Sequence, residues 1–196
     1  MQTNNLHLAF QAFDQANAAD PNQEEWQGGS YAKELLYAQR TTRRLNQFFP
    51  EASHALQLAA RAHHICRWEI SRSNYPQGRK GYNQWRAELR SFHAEKAASL
   101  LQSLSFEEET IARVKFLILK KQLKRDAETQ ALEDVICLVF LEHYFLPFAA
   151  KHSEEKVIDI LQKTWRKMSK KGQAAALELP LHQSAIKLIK KALATT

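Results

Sequence analysis

The chain has 196 residues, 44% of them hydrophobic, with only five glycines and five prolines; this suits one domain with a sizeable core and excludes collagen-like or low-complexity sequence. Its net charge of +7 points to anionic partners, and the lack of any run of eighteen apolar residues argues against a membrane-spanning helix. Cys66 and Cys137 are isolated, outside any Cys-x-x-Cys motif, and Met1 to Asn5 lack the basic-then-apolar form of a signal peptide, so the expectation is a cytoplasmic protein with two reduced, buried thiols.

Helical spacing begins near the start, where Leu6, Phe10, Phe13 and Ala16 recur every three or four residues. Asp20-Pro21-Asn22 and Gly28-Gly29-Ser30 break the chain. A helix is predicted over 31–48, ended ahead of Pro50. The next helix, rich in Ala and Leu, carries His63 and His64. Residues 71–81 read as a loop, and a long helix from Asn83 carries Trp85, Leu89, Phe92 and His93. Ser105 with Glu108 three residues on reads as a capping box for a helix reaching Leu123. Further helices are expected over 128–149, 153–170 and 183–194. No segment alternates with period two over a useful length, so the expectation is an all-α, single-domain bundle of about seven to nine helices over 1–196, without a sheet.

The adjacent histidines carry the strongest chemical signal. Neighbours on a helix diverge by about 100°, so His63 and His64 cannot both face water while the alanines and leucines around them face a core. A buried imidazole needs a hydrogen bond or a metal at its nitrogens. His93 lies about thirty residues on, and Asp134 precedes the apolar run from Val135 to Leu141. These residue types can ligate a divalent metal between packed helices. The structural alternative is a pair of packing histidines bonded to Glu34 or Asp134.

Ala59-Ala60-Arg61-Ala62-His63-His64-Ile65-Cys66 resembles the helix that carries the His-Asp pair in the HD-domain superfamily of metal-dependent phosphohydrolases, with His64 in the aspartate's place. Phe92-His93-Ala94-Glu95 resembles that superfamily's segment with an additional histidine, and Leu132-Glu133-Asp134-Val135 the segment with its final aspartate. The superfamily's first histidine has no counterpart; Glu34 lies at about its position. The resemblance covers roughly 31–145 and leaves a helical extension over 153–194. It implies an HD-like bundle in which His63, His64, His93 and Asp134 hold a divalent metal (Mn, Fe, Co, Zn or Mg), with Glu34 and His64 as catalytic residues. It further implies a metal-generated hydroxide that attacks a phosphoester. A dinuclear iron oxygenase on the same scaffold is a minor branch. Nearly the whole chain is also similar to an uncharacterised bacterial family, domain of unknown function 4202, through Lys33-Glu34-Leu35-Leu36-Tyr37-Ala38, His64-Ile65-Cys66-Arg67-Trp68-Glu69-Ile70 and Phe140-Leu141-Glu142-His143-Tyr144-Phe145. That likeness implies no activity.

The basic residues fall into three groups: Arg67, Arg72, Arg79, Lys80, Arg86 and Arg90; then Lys120, Lys121, Lys124 and Arg125; then Lys163, Arg166, Lys167, Lys170 and Lys171. Arg67, Arg86, Lys120 and Lys121 are the candidate phosphate ligands, for a nucleotide or other small phosphorylated compound. On the expected helix Arg67 stands one turn beyond His63. The third group reads as a helix face or a polyanion contact, so nucleic acid is a possible partner of the basic faces. Two non-catalytic readings stand beside the enzyme: a degenerate HD scaffold that binds nucleotide or RNA, and a helical protein-interaction module. Lys167-Met168-Ser169-Lys170-Lys171 resembles the signature loop of class I aminoacyl-tRNA synthetases, but five common residue types match easily by chance and no βαβ pattern accompanies them.

Overall fold

In the computed structural model, which describes residues 2–194, the leading helix α1 (Gln2–Ala18) buries Ala9 and Phe13 against the first of two apolar clusters. Positions 1, 195 and 196 of the expected domain lie outside the described residues. At the first chain break the structure departs from a sheetless bundle. Strands β1 (Gln23–Trp26) and β2 (Gly29–Ala32) pair antiparallel, with Trp26 opposite Gly29. Gln27 and Gly28 have φ of +49° and +81°, the two positive values of the tight turn that matches strand twist. The Gly-rich stretch is thus a hairpin turn rather than a simple break.

Helix α2 (Lys33–Phe48) follows, and its N-terminus is tied to the hairpin by Asp20, which accepts the backbone N–H of Glu34 at 3.0 Å. Ser53 caps α3 (His54–Ala62) by accepting from the N–H of Leu56 at 3.1 Å. Helix α4 (Gly78–Ser103) starts five residues earlier than its expected start at Asn83. The loop before it is shorter as a result, and Arg72 braces it by donating to the carbonyls of Tyr75 and Pro76, both at 2.9 Å. Gly81 is required there, because a Cβ would overlap the Pro76 carbonyl.

The capping box at Ser105 is absent. Ser105 has φ of +58° and closes the end of α4, the N–H of Phe106 reaching back to the Leu101 carbonyl at 3.1 Å. Helix α5 (Glu108–Ile118) then stops short of Leu123. Asp126 caps α6 (Ala127–Val139), accepts from the N–H of Thr129 at 2.8 Å and is forked by Arg113. A π-helical turn, Phe140–Tyr144, joins α6 to the short α7 (Phe145–Ala149). The last three helices are α8 (Glu154–Lys167), α9 (Lys170–Leu177) and α10 (Gln183–Ala194). The count of ten α-helices among the described residues exceeds seven to nine, partly because 140–144 separates α7 from α6.

The core lies in two parts. Phe13, Leu45, Leu56, Ile65, Leu101, Leu117 and Leu132 belong to one cluster, built by α1 to α6. Leu138, Phe145, Val157, Leu161, Met168 and Ile189 belong to the other, which the last helices close. Phe48 packs against both, and α6 contributes to both. Among the described residues no helix is long and apolar enough to cross a membrane.

Candidate functional site

His63 and His64 lie just beyond α3 in a tight turn, where Cys66 adopts φ of +52°. The turn is held from two sides. Asn17 of α1 accepts the Cys66 N–H at 3.0 Å, and His93 of α4 donates from Nδ1 to the Ile65 carbonyl at 2.8 Å. A helical rotation does not therefore set the two imidazoles apart; their ring centroids are 4.6 Å apart, and that of His93 lies 5.7 Å from His64. Tyr37 of α2 stacks on His64 at 4.2 Å and points its hydroxyl at His63 Nδ1, 3.5 Å away. Glu34, one turn earlier on α2, brings Oε2 to 3.3 Å from His64 Nδ1.

Arg67 completes this inner group. Its guanidinium donates to His64 Nε2 at 3.3 Å, lies 3.8 Å from Glu34 Oε1, and covers the Trp85 ring at 4.8 Å from the centroid. Arginine has no acceptor, so Nε2 of His64 is the bare nitrogen and the proton sits on Nδ1, facing Glu34. Arg86 is on the α4 face that also carries His93. Lys120 follows α5 and sets Nζ 2.5 Å from Glu133 of α6, a residue only 3% exposed.

Burial and positive neighbours act together on the imidazoles. Desolvation, then the charges of Lys120, Arg86 and Arg67, hold His63 well below the usual histidine range. Desolvation and Arg67 do the same to His64. Burial lowers His93 to about 3 despite its bond to the Ile65 carbonyl. Glu34 moves the other way: desolvation raises it to about 7, against the pull of Arg67. At neutral pH the site thus combines three neutral imidazoles, a carboxyl near its midpoint, and a positive rim.

The structure unites Glu34, His63, His64, His93 and Arg67, and the charges of Arg86 and Lys120 bear on His63. It directs Asp134 elsewhere: the carboxylate accepts from the Ser169 N–H at 2.8 Å, the Ser169 hydroxyl at 2.5 Å and Gln130 at 3.0 Å. Lys121 is exposed, on a shallow depression of about 590 Å³ between α4 and α5. His143 pairs with Glu142, 3.4 Å away, rather than with the imidazoles. The sequence reading passed over Glu133 and Tyr37. Glu133 is one residue from Asp134, and that single step decides which acid meets Lys120.

A metal is the group the HD resemblance implies, and the donors fit it in part. His93 has its Nδ1 proton fixed on a carbonyl and a buried Nε2 without a hydrogen-bond partner, the arrangement of a metal-ready histidine. The rest do not fit. Nε2 of His64 faces a guanidinium, Asp134 is bonded to Ser169, and among the described residues no three His, Cys, Asp or Glu side chains form a metal-binding group.

Fold and site together define a mostly helical protein with buried imidazoles under a cationic rim. The chain belongs to the family described as Domain of unknown function (DUF4202), whose model matches residues 7–189. No curated protein and no solved structure matches it.

Proposed function

We propose that this protein binds a phosphorylated small molecule, such as a nucleotide, at the imidazole cluster and hydrolyses its phosphoester. The observation that carries this reading is the convergence of Arg67, Arg86 and Lys120 on three neutral imidazoles, beside a Glu34 near its midpoint and a Glu133 held by Lys120. A surplus of cations in a largely desolvated setting favours a dianionic phosphate. When Arg67 moves onto the phosphate, Nε2 of His64 is free to take a proton from an attacking water, while Glu34 holds the Nδ1 proton and orients the ring. The water oxygen bonds to phosphorus, the bond to the leaving oxygen breaks, and the imidazolium returns the proton to that oxygen.

Calorimetric titration with inorganic phosphate and nucleotides tests the binding step. Arg86→Ala is expected to cost about 1.5–3 kcal/mol of binding, roughly ten- to a hundredfold in Kd. Glu34→Gln is expected to leave binding intact and to lower turnover by about two to four orders of magnitude. Unchanged phosphate binding in both Arg67→Ala and Arg86→Ala would refute the reading. A second reading, a metal-dependent phosphohydrolase, is favoured by the bare Nε2 of His93. It requires His64 to leave Arg67, and it predicts stoichiometric Mn, Fe, Co or Zn after reconstitution, lost in His63→Ala and His93→Ala.

A further inference from the structure

The connection between α5 and α6 has a backbone that L-residues rarely adopt. φ is +55° at Lys120, +55° at Gln122 and +78° at Lys124, with negative values at Lys121 and Leu123 between them. A simple connection would use glycine or asparagine at such positions with less strain. Alternation of right- and left-handed residues turns successive N–H groups toward one side and makes a concavity that accepts an anion.

The N–H groups of Gln122, Leu123 and Lys124 have no hydrogen-bond partner among the described residues, whereas those of Lys120, Lys121, Arg125 and Asp126 on either side are bonded to backbone carbonyls. Lys121, Lys124 and Arg125 are exposed around them. Neither Lys121 nor Arg125 is paired with a carboxylate among the described residues; Asp126, next along the chain, is forked by Arg113 and caps α6.

We propose that this turn is a phosphate-binding nest, a second oxyanion site in which the three free N–H groups hold the oxygens and Lys121 and Arg125 supply the charge. Lys124 donates to the carbonyls of Arg166 at 2.7 Å and Met168 at 3.4 Å, which brings the exposed Arg166, Lys167 and Lys170 alongside. The two basic segments, some forty residues apart in sequence, thus form one surface. Lys120 opens the turn and turns its side chain toward Glu133, so the nest borders the imidazole site without sharing its ligands. The ligand chemistry is a phosphate oxyanion, from a polyphosphorylated small molecule or from a phosphodiester of single-stranded nucleic acid.

Backbone amide NMR with inorganic phosphate, pyrophosphate and a short oligothymidylate tests this. The expected result is a saturable shift of the Gln122, Leu123 and Lys124 amides. Saturation by pyrophosphate assigns the site to small molecules; saturation by the oligothymidylate alone assigns it to nucleic acid. Lys121→Ala with Arg125→Ala should weaken binding about tenfold with the rest of the spectrum unchanged. Gln122→Gly with Lys124→Gly keeps the positive φ, so it should fold and still bind. Arg67→Ala should leave these shifts intact, which separates the nest from the imidazole reading. If none of the three probes moves the three amides, or if shifts scatter over all lysines without saturating, the proposal is overturned.

Discussion

Three imidazoles kept neutral by burial make the fold acid-labile. In the unfolded chain a histidine takes its proton near pH 6.5, but in the folded protein burial lowers His63, His64 and His93, His93 to about 3. Below pH 6.5 the unfolded state therefore binds more protons, and stability falls as pH falls. Glu34 opposes this. Its folded value of about 7 lies above the ordinary glutamate value of 4.5, so it stabilises while protonated and loses that contribution as pH rises between the two. Three groups outweigh one, and His93 alone accounts for about 2 kcal/mol of destabilisation by pH 5. The melting temperature should drop steadily from pH 6.5 to 5, and His93→Gln should flatten part of the slope; a flat wild-type profile would rule out buried neutral imidazoles. The sequence displayed these histidines and Glu34 because their apolar surroundings left few places for polar rings. It did not show which of Glu133 and Asp134 turns toward Lys120, since adjacent helical residues differ only by a rotation that packing fixes.

At the scale of elements, the least legible feature was the end of α3. No glycine or proline marks it, yet Cys66 enters the left-handed region because Asn17 and His93 hold the turn from other helices. The hairpin was hidden for the opposite reason: its turn residues were visible, but its four-residue strands were too short to alternate. The α8–α9 junction, where the synthetase-like residues lie, has a structural role. Ser169 caps α9 by accepting from the Gly172 N–H at 3.0 Å, and Asp134 accepts from Ser169 in turn. Asp134→Ala should cost about 1–3 kcal/mol by leaving those donors without an acceptor, while phosphate binding stays unchanged. Gly172→Ala should cost about as much, because its Cβ would come within 2.6 Å of the Asp134 carboxyl. Thermal denaturation and phosphate titration of both variants check this; a loss of phosphate binding in Asp134→Ala at intact stability would return Asp134 to the functional site.

Across the whole molecule, apolar contact is divided rather than continuous. The first cluster surrounds the turn that carries His63 and His64, and the second is closed by α8, α9 and α10. Helical periodicity revealed both sets of apolar residues, but not their division, which runs through α6: Leu132, Val135 and Val139 join the first cluster and Cys137 and Leu138 the second. Arg44 pairs with Glu142 of the π-helical turn after α6, and Arg40 donates to Tyr144 there at 2.9 Å, so α2 is tied to the junction by polar contacts as well as by Phe48. Such an arrangement lets one cluster open before the other. Leu161 is 5% exposed within the second cluster, and Leu161→Ala should cost about 2–5 kcal/mol through lost burial and a residual cavity. Hydrogen exchange of the native protein then locates the loss. Amides of α8 and α10 should exchange faster in the variant, while those of α3 and α5 keep wild-type protection and phosphate binding persists. Equal acceleration in all four helices would mean that the two clusters unfold as one unit and that the imidazole site depends on the C-terminal helices for its stability.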